Sequence, residues 1–334
     1  MKILIIGSGR MGVRHALGVK SLNEVSFVVM ADIHEGALES AKTAVNDSRF
    51  SYVLINILTE TVQPGFDVCI IAATAGNRSQ VLALAEQLQC KHIMVEKPLG
   101  QSMQQVIELN NYVKGHKLDC VVNLNMRLYD SFIRLKNDLQ RMSQFEGEKT
   151  VTINTGTLGI GANGIHYLDL LFFILDADKA ELVAGEIDDS IIPSGRGPQF
   201  GDFGGWAVIK FYKNKKIQGK ALISMASNST VFGSWEIVGP HGRIYFNEVE
   251  GRRIDTIRKE DSQMPVNRYF ADYLPAIENK IESPFLGDLT AKWIQGIING
   301  ENLLPAIDAS LKVHELLFDW LSKSATHKEI YPIT

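Results

Sequence analysis

The sequence predicts an α/β protein with an N-terminal doubly wound parallel sheet and a C-terminal α+β domain that has an open, mainly antiparallel sheet. Short apolar runs rich in β-branched residues alternate with helical patterns through the first third of the chain. This alternation ends near Met126, after which strand patterns follow one another with turn signals between them. The length of 334 residues suits two domains, which we place at 1–125 and 126–334.

The predicted strands of the first domain are apolar on both faces, as buried parallel strands are. They are Lys2–Ile6, Ser26–Ala31, Val68–Ala73, His92–Val95 and Cys120–Leu124, with Ser51–Asn56 as a further candidate. The helical patterns between them are Met11–Val19, Gly36–Val45, Arg78–Gln89 and Met103–Lys114. Ligands of such sheets bind at the carboxyl ends of the strands, so the polar residues that follow these strands are candidate site residues.

The second domain is predicted to begin with a helix, a strand and a second helix before its run of antiparallel strands. These three elements are Ser131–Met142, Thr150–Asn154 and Gly164–Leu175. The strands that follow are Glu181–Ile187, Gly205–Tyr212, Ile217–Ala226, Ser234–Gly239 and Arg243–Glu248. Two helices, Phe285–Asn299 and Ile307–Lys323, close the chain and could pack back on the first domain.

A glycine-rich turn follows the first predicted strand and has the spacing G-x-G-x-x-G over residues 7–12. Gly7 permits a tight turn, Gly9 lets the backbone approach a pyrophosphate, and Gly12 allows a helix to pack closely on the strand. Free N–H groups at the helix N-terminus then bind phosphate oxygens. The pattern predicts a dinucleotide site with contacts from Gly7, Gly9, Arg10, Met11 and Gly12. The alternative is a turn that needs its glycines for backbone geometry only.

Asp32 ends the next apolar run, twenty residues after Gly12, where an acid accepts hydrogen bonds from the adenosine ribose. Its carboxylate would repel a 2′-phosphate, and Ile33 and His34, rather than an arginine, follow it. The sequence therefore predicts NAD as the cofactor, with NADP disfavoured.

Composition excludes several other classes of function. The formal net charge is −4 and no basic stripe interleaved with aromatic residues is present, so we expect no nucleic-acid partner. The N-terminal apolar run is too short for a signal peptide, and Asp169 interrupts the apolar stretch Leu168–Leu175, so we expect no membrane segment. The three widely spaced cysteines fit reduced core residues of a cytoplasmic protein, and no metal site is predicted.

Five segments in this order resemble the Gfo/Idh/MocA family, which includes glucose-fructose oxidoreductase and inositol dehydrogenase. They are the glycine turn, Asp32, Glu96-Lys97-Pro98-Leu99, Asn125-Met126-Arg127, and Gly164-Ile165-His166-Tyr167-Leu168-Asp169. The resemblance covers essentially the whole chain. It implies an NAD(P)-dependent enzyme that oxidises a sugar or polyol hydroxyl or reduces the matching ketone. It also implies a homodimer or homotetramer formed through the open face of the C-terminal sheet.

The resemblance assigns catalytic roles to Lys97 and His166, with Glu96 pairing with or positioning the lysine. Lysine and histidine are both able to exchange a proton with a reacting hydroxyl. Further cofactor contacts are implied for Thr74, Asn77, Glu96, Lys97 and Arg127. Substrate contacts are implied for Lys97, Asn125, Asn163, His166 and Asp169. A cis peptide bond between Lys97 and Pro98 is also implied.

One position departs from the family pattern. Many family dehydrogenases carry an aspartate four residues before the histidine, but this chain has Ala162 there. Asn163 can hydrogen-bond a sugar hydroxyl, but it cannot accept a proton in place of the missing acid. The resulting N-x-x-H segment is similar to a subgroup associated with surface-polysaccharide and nucleotide-sugar pathways. We therefore expect a sugar or nucleotide-sugar substrate, with Lys97 and His166 carrying the proton transfer.

Two alternatives remain open at this point. The first is an NAD-assisted glycosidase, which oxidises a sugar hydroxyl transiently so that the glycosidic bond leaves by elimination. The second is a cofactor-binding sensor or scaffold without catalysis. The absence of an acid at Ala162 favours this second reading, whereas the presence of Lys97 and His166 opposes it.

Overall fold

The computed structural model describes residues 1–194, 197, 199–260, 272–324 and 330–333. The chain divides into two compact units. The first unit comprises Met1–Leu128, Pro284–His314 and Ile333–Thr334, and the second comprises Tyr129–Ser283 and Glu315–Pro332. Each unit is built around its own sheet, one parallel and one mainly antiparallel, which confirms the predicted fold class.

The strands of both sheets are numbered here in chain order. They are β1 (Lys2–Ile6), β2 (Phe27–Asp32), β3 (Phe50–Leu54), β4 (Val68–Ile71), β5 (His92–Val95), β6 (Asp119–Val122), β7 (Lys149–Asn154), β8 (Lys179–Pro193), β9 (Gly201–Lys213), β10 (Lys216–Met225), β11 (Ser234–Val238), β12 (Gly242–Asn247), β13 (Arg252–Ile257) and β14 (Ile277–Lys280). The helices are α1 (Arg10–Lys20), α2 (Glu35–Val45), α3 (Leu58–Thr61), α4 (Arg78–Gln87), α5 (Met103–His116), α6 (Asp130–Arg141), α7 (Ile165–Ile174), α8 (Leu286–Ile298) and α9 (Ile307–Leu321).

The sheet of the first unit has six parallel strands in the order β3-β2-β1-β4-β5-β6. The central strands are buried on both faces, which agrees with their continuous apolar sequence. The candidate strand at Ser51–Asn56 is present as β3. Chain order reverses between β1 and β4, and in open α/β sheets the ligand crevice lies at this switch point, beyond the carboxyl ends of the strands.

The sheet of the second unit has eight strands in the order β14-β13-β12-β11-β7-β10-β9-β8. All neighbours are antiparallel except β7 and β10. Helices α6 and α7 cover one face, where Phe132 and Tyr167 each lie with ring centroids 5.5 Å from Trp235. On the opposite face, Trp206 and Leu222 are 42% and 45% exposed. Among the residues that the structure describes, the sheet therefore has one packed face and one face that is partly apolar and exposed.

Several elements of the second unit differ from the prediction. Strands β8 and β9 are longer than expected, with 15 and 13 residues. Strand β13 was not predicted; its residues Arg253 and Asp255 are charged, and yet both are buried. Arg253 donates to Asp255 with its Nε and Nη2 atoms, at 2.8 Å each, and contacts Asp138 with Nη1 at 2.6 Å. Pairing satisfies these buried charges, so β13 fits in the sheet despite its composition.

Two smaller features of the fold are a turn and the cysteines. The basic cluster at residues 213–216 forms a hairpin turn between β9 and β10, in which Asn214 and Lys215 have positive φ. Cys69, Cys90 and Cys120 are all buried and free. Among the residues that the structure describes, no helix is long and apolar enough to cross a membrane.

Candidate functional site

The glycine turn between β1 and α1 shows which of its glycines the fold itself requires. Gly7 has φ of +102°, and a Cβ there would lie 2.8 Å from the Ala72 carbonyl carbon. A Cβ on Gly12 would lie 1.8 Å from the Gly7 carbonyl oxygen. Packing of α1 against the ends of β1 and β4 therefore explains both glycines without a ligand.

Gly9 is different, because a Cβ there would meet no protein atom within 4 Å. Its φ of −68° is also open to any residue. It precedes Arg10, the first residue of α1, and no side chain caps this helix. Open space beside uncapped helical N–H groups suits a pyrophosphate. The glycine at this position thus favours a dinucleotide site over a purely geometric role for the motif.

Asp32 ends β2 beside the same turn. Its Oδ2 accepts a hydrogen bond from the Ser8 N–H at 2.6 Å, and its Oδ1 accepts from the His34 N–H at 3.0 Å. The carboxylate therefore fixes the glycine turn before any ligand is bound. A carboxylate has about four acceptor positions, so capacity for the ribose hydroxyls remains. The residues of the turn and Asp32 together fit the predicted NAD.

Glu96 follows β5 and is the centre of a buried network. Its Oε1 accepts from Asn123 Nδ2 at 2.6 Å and bonds to His15 Nε2 at 2.9 Å. The other ring nitrogen of His15, Nδ1, bonds to Thr290 Oγ1 of α8 at 2.8 Å. All four side chains are buried. The network therefore joins the cofactor helix α1 to the ends of β5 and β6 and to α8.

The network also determines the charge of Glu96. Burial alone would raise the pKa of this carboxyl group. The hydrogen bond and charge of His15, the charge of Lys97 and the Asn123 hydrogen bond outweigh burial and hold the pKa well below its ordinary value. Glu96 is therefore ionised at neutral pH directly before Lys97. Because its carboxylate binds protein groups, we interpret Glu96 as a residue that positions Lys97 rather than as a direct cofactor contact.

Lys97 is only 8% exposed and is joined to Pro98 by a cis peptide bond, as the family resemblance implied. After Pro98, the Leu99 N–H donates to His314 Nε2 at 3.1 Å. Burial lowers the pKa of His314 to about 4, so this ring is neutral at physiological pH. Its Nδ1–H can then donate to the Ser310 carbonyl, 2.9 Å away, which leaves Nε2 as the acceptor. The chain on both sides of Lys97 is thus held by buried side chains.

The remaining predicted residues of the first unit also follow strand ends. Thr74 precedes a 3-10 turn at Ala75–Asn77 after β4, and Asn125 and Arg127 lie in another at Asn125–Leu128 after β6. Asn125 is buried, whereas Thr74 and Arg127 are half-buried. The parallel sheet therefore brings these residues to the same edge as the glycine turn, Asp32 and Lys97.

In the second unit, the predicted site residues lie on α7 and the turn before it. Residues Ile160–Gly164 form a π-helical turn that leads into α7. Asn163 uses its side-chain N–H to bond the Leu158 carbonyl at 2.6 Å, which ties it to this turn. His166 and Asp169 are three residues apart on α7 and therefore share a helical face. Asp169 is only 1% exposed, which favours a role in orienting the helix over direct substrate contact.

Sequence reasoning missed one residue at this turn. Asp202, at the start of β9, accepts hydrogen bonds from the backbone N–H groups of Gly161 and Ala162 at 2.8 and 2.6 Å. An acid therefore lies beside Ala162 although the sequence has none at that position. No spacing rule predicts the contact, because it joins residues about forty positions apart.

Comparisons with known proteins agree with this arrangement. Residues 1–124 match the model of the Gfo/Idh/MocA oxidoreductase family, described as an NAD-binding Rossmann fold. Myo-inositol 2-dehydrogenase from Thermotoga maritima is 21% identical, over 98% of this chain and 97% of that protein. The family resemblance predicted from the motifs is thereby confirmed, as is an NAD-binding domain.

Two solved structures show the same fold over nearly the full chain. One is an oxidoreductase from Agrobacterium radiobacter in complex with NAD+, L-tartaric acid and magnesium, at 14% identity, a TM-score of 0.71 and coverage of 97% of this chain and 96% of that one. The other is UDP-N-acetylglucosamine 3-dehydrogenase from Acidithiobacillus ferrooxidans, at 14% identity, a TM-score of 0.67 and coverage of 97% of both chains.

A first prediction separates ligand space from fold requirements. Gly9→Ala should leave the free energy of unfolding within about 1 kcal/mol of wild type, because the added methyl group meets no protein atom. NADH affinity should fall about tenfold or more, because the methyl group occupies the space for the pyrophosphate. NADH fluorescence titration and urea unfolding measure the two effects. Gly36→Ala in α2, which also has open space, is the control and should bind NADH normally. Wild-type affinity of Gly9→Ala for NADH would refute the placement of the pyrophosphate beside Gly9.

A second prediction concerns the buried pair. His15→Leu leaves the buried Glu96 carboxylate without its His15 hydrogen-bond partner and should cost about 3–5 kcal/mol of stability. The matched control is His92→Leu, which breaks the exposed pair with Asp119 and should cost at most about 1 kcal/mol. Urea unfolding measures both. Equal losses in the two variants would show that the buried pair contributes no more to stability than the exposed pair does.

The pH dependence follows from the lowered pKa of Glu96. Its stabilising contribution is fully present above the unfolded-state pKa of glutamate, about 4.3, and is lost as the pH falls towards the lower folded-state value. Wild-type stability should therefore decline more steeply below that pH than the stability of a Glu96→Gln variant.

Proposed function

We propose that this chain, whose N-terminal domain belongs to the Gfo/Idh/MocA oxidoreductase family, transfers a hydride between NAD and a hydroxyl-bearing or ketone carbon of a sugar, polyol or nucleotide sugar. The observation that carries the proposal is the setting of Lys97. This lysine follows a strand at the cofactor edge of the sheet, next to the ionised Glu96, and the buried His314 fixes the chain just beyond it. A fixed cationic group at this edge suits proton exchange with a hydroxyl group.

In the oxidative direction, the substrate carbon loses a hydride and its hydroxyl oxygen loses a proton, giving a ketone, NADH and H+. NAD, when bound, supplies the hydride acceptor. Lys97 and His166 are the groups that would orient the hydroxyl and exchange its proton. In the reductive direction, the same two groups would return the proton to the forming alkoxide oxygen.

The proposed substrate is a ring secondary alcohol, and a nucleotide sugar is favoured. The two named relatives act on myo-inositol and on UDP-N-acetylglucosamine, both of which present such alcohols. The turn before α7 carries Asn163 and has no acid at position 162, and this segment resembles the subgroup associated with nucleotide-sugar and surface-polysaccharide pathways.

The test is the formation of NADH, followed by absorbance, with NAD and each of three compounds: myo-inositol, UDP-N-acetylglucosamine and free N-acetylglucosamine. Turnover of at least one supports the proposal. NADH binding without turnover of any compound would overturn it in favour of a sensor or scaffold. Glycoside cleavage with no net NADH release would instead favour the NAD-assisted glycosidase.

A third prediction addresses the two proton-transfer residues. Lys97→Met and His166→Ala should each lower kcat by about 10²–10⁴-fold, the usual scale for a positioned acid–base group. NADH affinity should remain nearly unchanged. Lys91→Met, which removes an exposed lysine just before β5, is the control and should retain full activity. Turnover that survives loss of both Lys97 and His166 would place the chemistry elsewhere.

A fourth prediction concerns cofactor choice. Titration should show tighter binding of NADH than of NADPH, because the Asp32 carboxylate repels a 2′-phosphate. Asp32→Ser should reduce this preference. Since Asp32 also accepts the Ser8 and His34 N–H groups, Asp32→Asn is a second variant that removes the charge and keeps one of the two acceptor oxygens, and it should reduce the preference as well. Equal or tighter NADPH binding by the wild type would contradict the prediction.

A fifth prediction concerns assembly. We propose that the uncovered face of the second sheet, which includes Trp206, Leu222 and Val238, forms a homodimer or homotetramer interface. Light scattering should give a mass that is a multiple of the 37.1 kDa chain. Leu222→Asp should shift the mass towards the monomer because it buries a charge in the interface. A wild-type mass of one chain at all concentrations would exclude this interface.

A further inference from the structure

The π-helical turn Ile160–Gly164 determines which way the side chains of α7 face. The N–H groups of Asn163 and Gly164 both donate to the Gly159 carbonyl, at 3.0 and 2.9 Å. A π turn holds one residue more than an α-helical turn, and each residue advances a helix by about 100°. Conversion to an ordinary α-helical turn would therefore rotate His166 away from its present face.

This turn leaves two of its amides to be satisfied by other groups. The N–H groups of Gly161 and Ala162 precede the first amide that bonds within the turn. Both donate to the Asp202 carboxylate, and the Phe203 N–H donates to its Oδ1 as well, at 2.8 Å. Asp202 is buried, so these are charge-assisted hydrogen bonds shielded from water. One carboxylate thus holds the start of the turn.

The backbone opposite Asp202 is shaped to admit this carboxylate. Gly159 has φ of +81°, and a Cβ there would lie 2.3 Å from Asp202 Oδ2. The glycine is therefore needed for the conformation of the chain and for the approach of the acid. Two independent features, the position of Gly159 and the pair of amide donors, converge on the same side chain.

We propose that Asp202 is a positioning residue for the reaction: its carboxylate holds the π turn that presents Asn163 and His166, and without it turnover falls although NAD still binds. This inference rests on the proposed function. Asp202 contributes from β9 the negative charge that position 162 lacks, and it acts through the backbone. The turn therefore keeps an acid beside Ala162 without a carboxyl group on the helix itself.

The test is Asp202→Asn, which keeps the shape of the side chain but replaces one acceptor oxygen with an N–H donor. With the compound that the wild type turns over, kcat should fall by about 10- to 100-fold, the scale expected for misplaced reacting groups. KM for that compound and NADH affinity should remain near wild type. Hydrogen–deuterium exchange should become faster in peptides that cover residues 159–168, and stay unchanged in the first unit.

Asp178→Asn is the matched control. The Asp178 carboxylate also accepts a backbone N–H, from Asn214 at 2.8 Å, but it lies at the other end of β9. This variant should change neither kcat nor exchange over residues 159–168. An equal fall in kcat would show that loss of any such hydrogen bond in this sheet slows the enzyme, and would overturn the proposal.

Gly159→Ala tests the same contact from the opposite side. The added methyl group should displace the Asp202 carboxylate and reproduce the kinetic and exchange effects of Asp202→Asn. The double variant should lose no more activity than the less active of the two single variants, because both changes break the same interaction. Gly147→Ala controls for strain alone, since Gly147 has φ of +103° and no atom closer than 3.9 Å to an added Cβ.

The outcomes separate the inference from the function on which it rests. No turnover by the wild type with any of the three compounds would overturn the proposed function. Exchange over residues 159–168 that stays at the wild-type rate in both Asp202→Asn and Gly159→Ala would overturn the role of Asp202 in holding the turn. Faster exchange with unchanged kcat would show that the turn does not position the reacting groups.

Discussion

The buried pair of His15 and Glu96 is the interaction on which the arrangement of the first unit depends. His15 belongs to the helix that begins at the glycine turn, and Glu96 directly precedes Lys97. A buried hydrogen bond between these two side chains therefore links the helix after the glycine turn to the lysine at the end of β5. Because both side chains are shut from water, movement of either element would remove a partner from the buried Glu96 carboxylate at a cost of several kcal/mol. The pair therefore maintains both the position of α1 relative to the end of β5 and the negative charge of Glu96 beside Lys97.

The second unit uses a related device at its own turn. The buried carboxylate of Asp202 likewise accepts hydrogen bonds from another element. Here the donors are backbone amides rather than an imidazole ring. In both units the acid comes from a strand or strand end: Glu96 bonds His15 within α1, whereas Asp202 holds the turn that leads into α7. Lys97 and His166, the proposed proton-transfer residues, lie close in sequence to these two buried networks.

The sequence predicted the parallel sheet well because its strands are apolar runs whose period and flanking turns leave few alternatives, as β1 and β5 show. The cis bond before Pro98 was implied by the family resemblance and is present. The network around Glu96 was not predictable, since His15 and Thr290 reach it from distant parts of the chain. Asp202 was missed for the same reason: local patterns do not show which residues β9 brings beside a turn. Strand β13 was missed because its inward side chains are charged.

That charged strand also restricts how the second sheet can be assembled. The buried guanidinium of Arg253 lies between the carboxylates of Asp138 on α6 and Asp255 on its own strand. In a sheet of aliphatic side chains, a slip by one residue exchanges the two faces at a cost spread over many weak contacts. Here the same slip would carry Arg253 and Asp255 together to the other face, and it would break the contact between Arg253 and Asp138 on α6. The ion pair between β13 and α6 therefore favours the observed register of this strand.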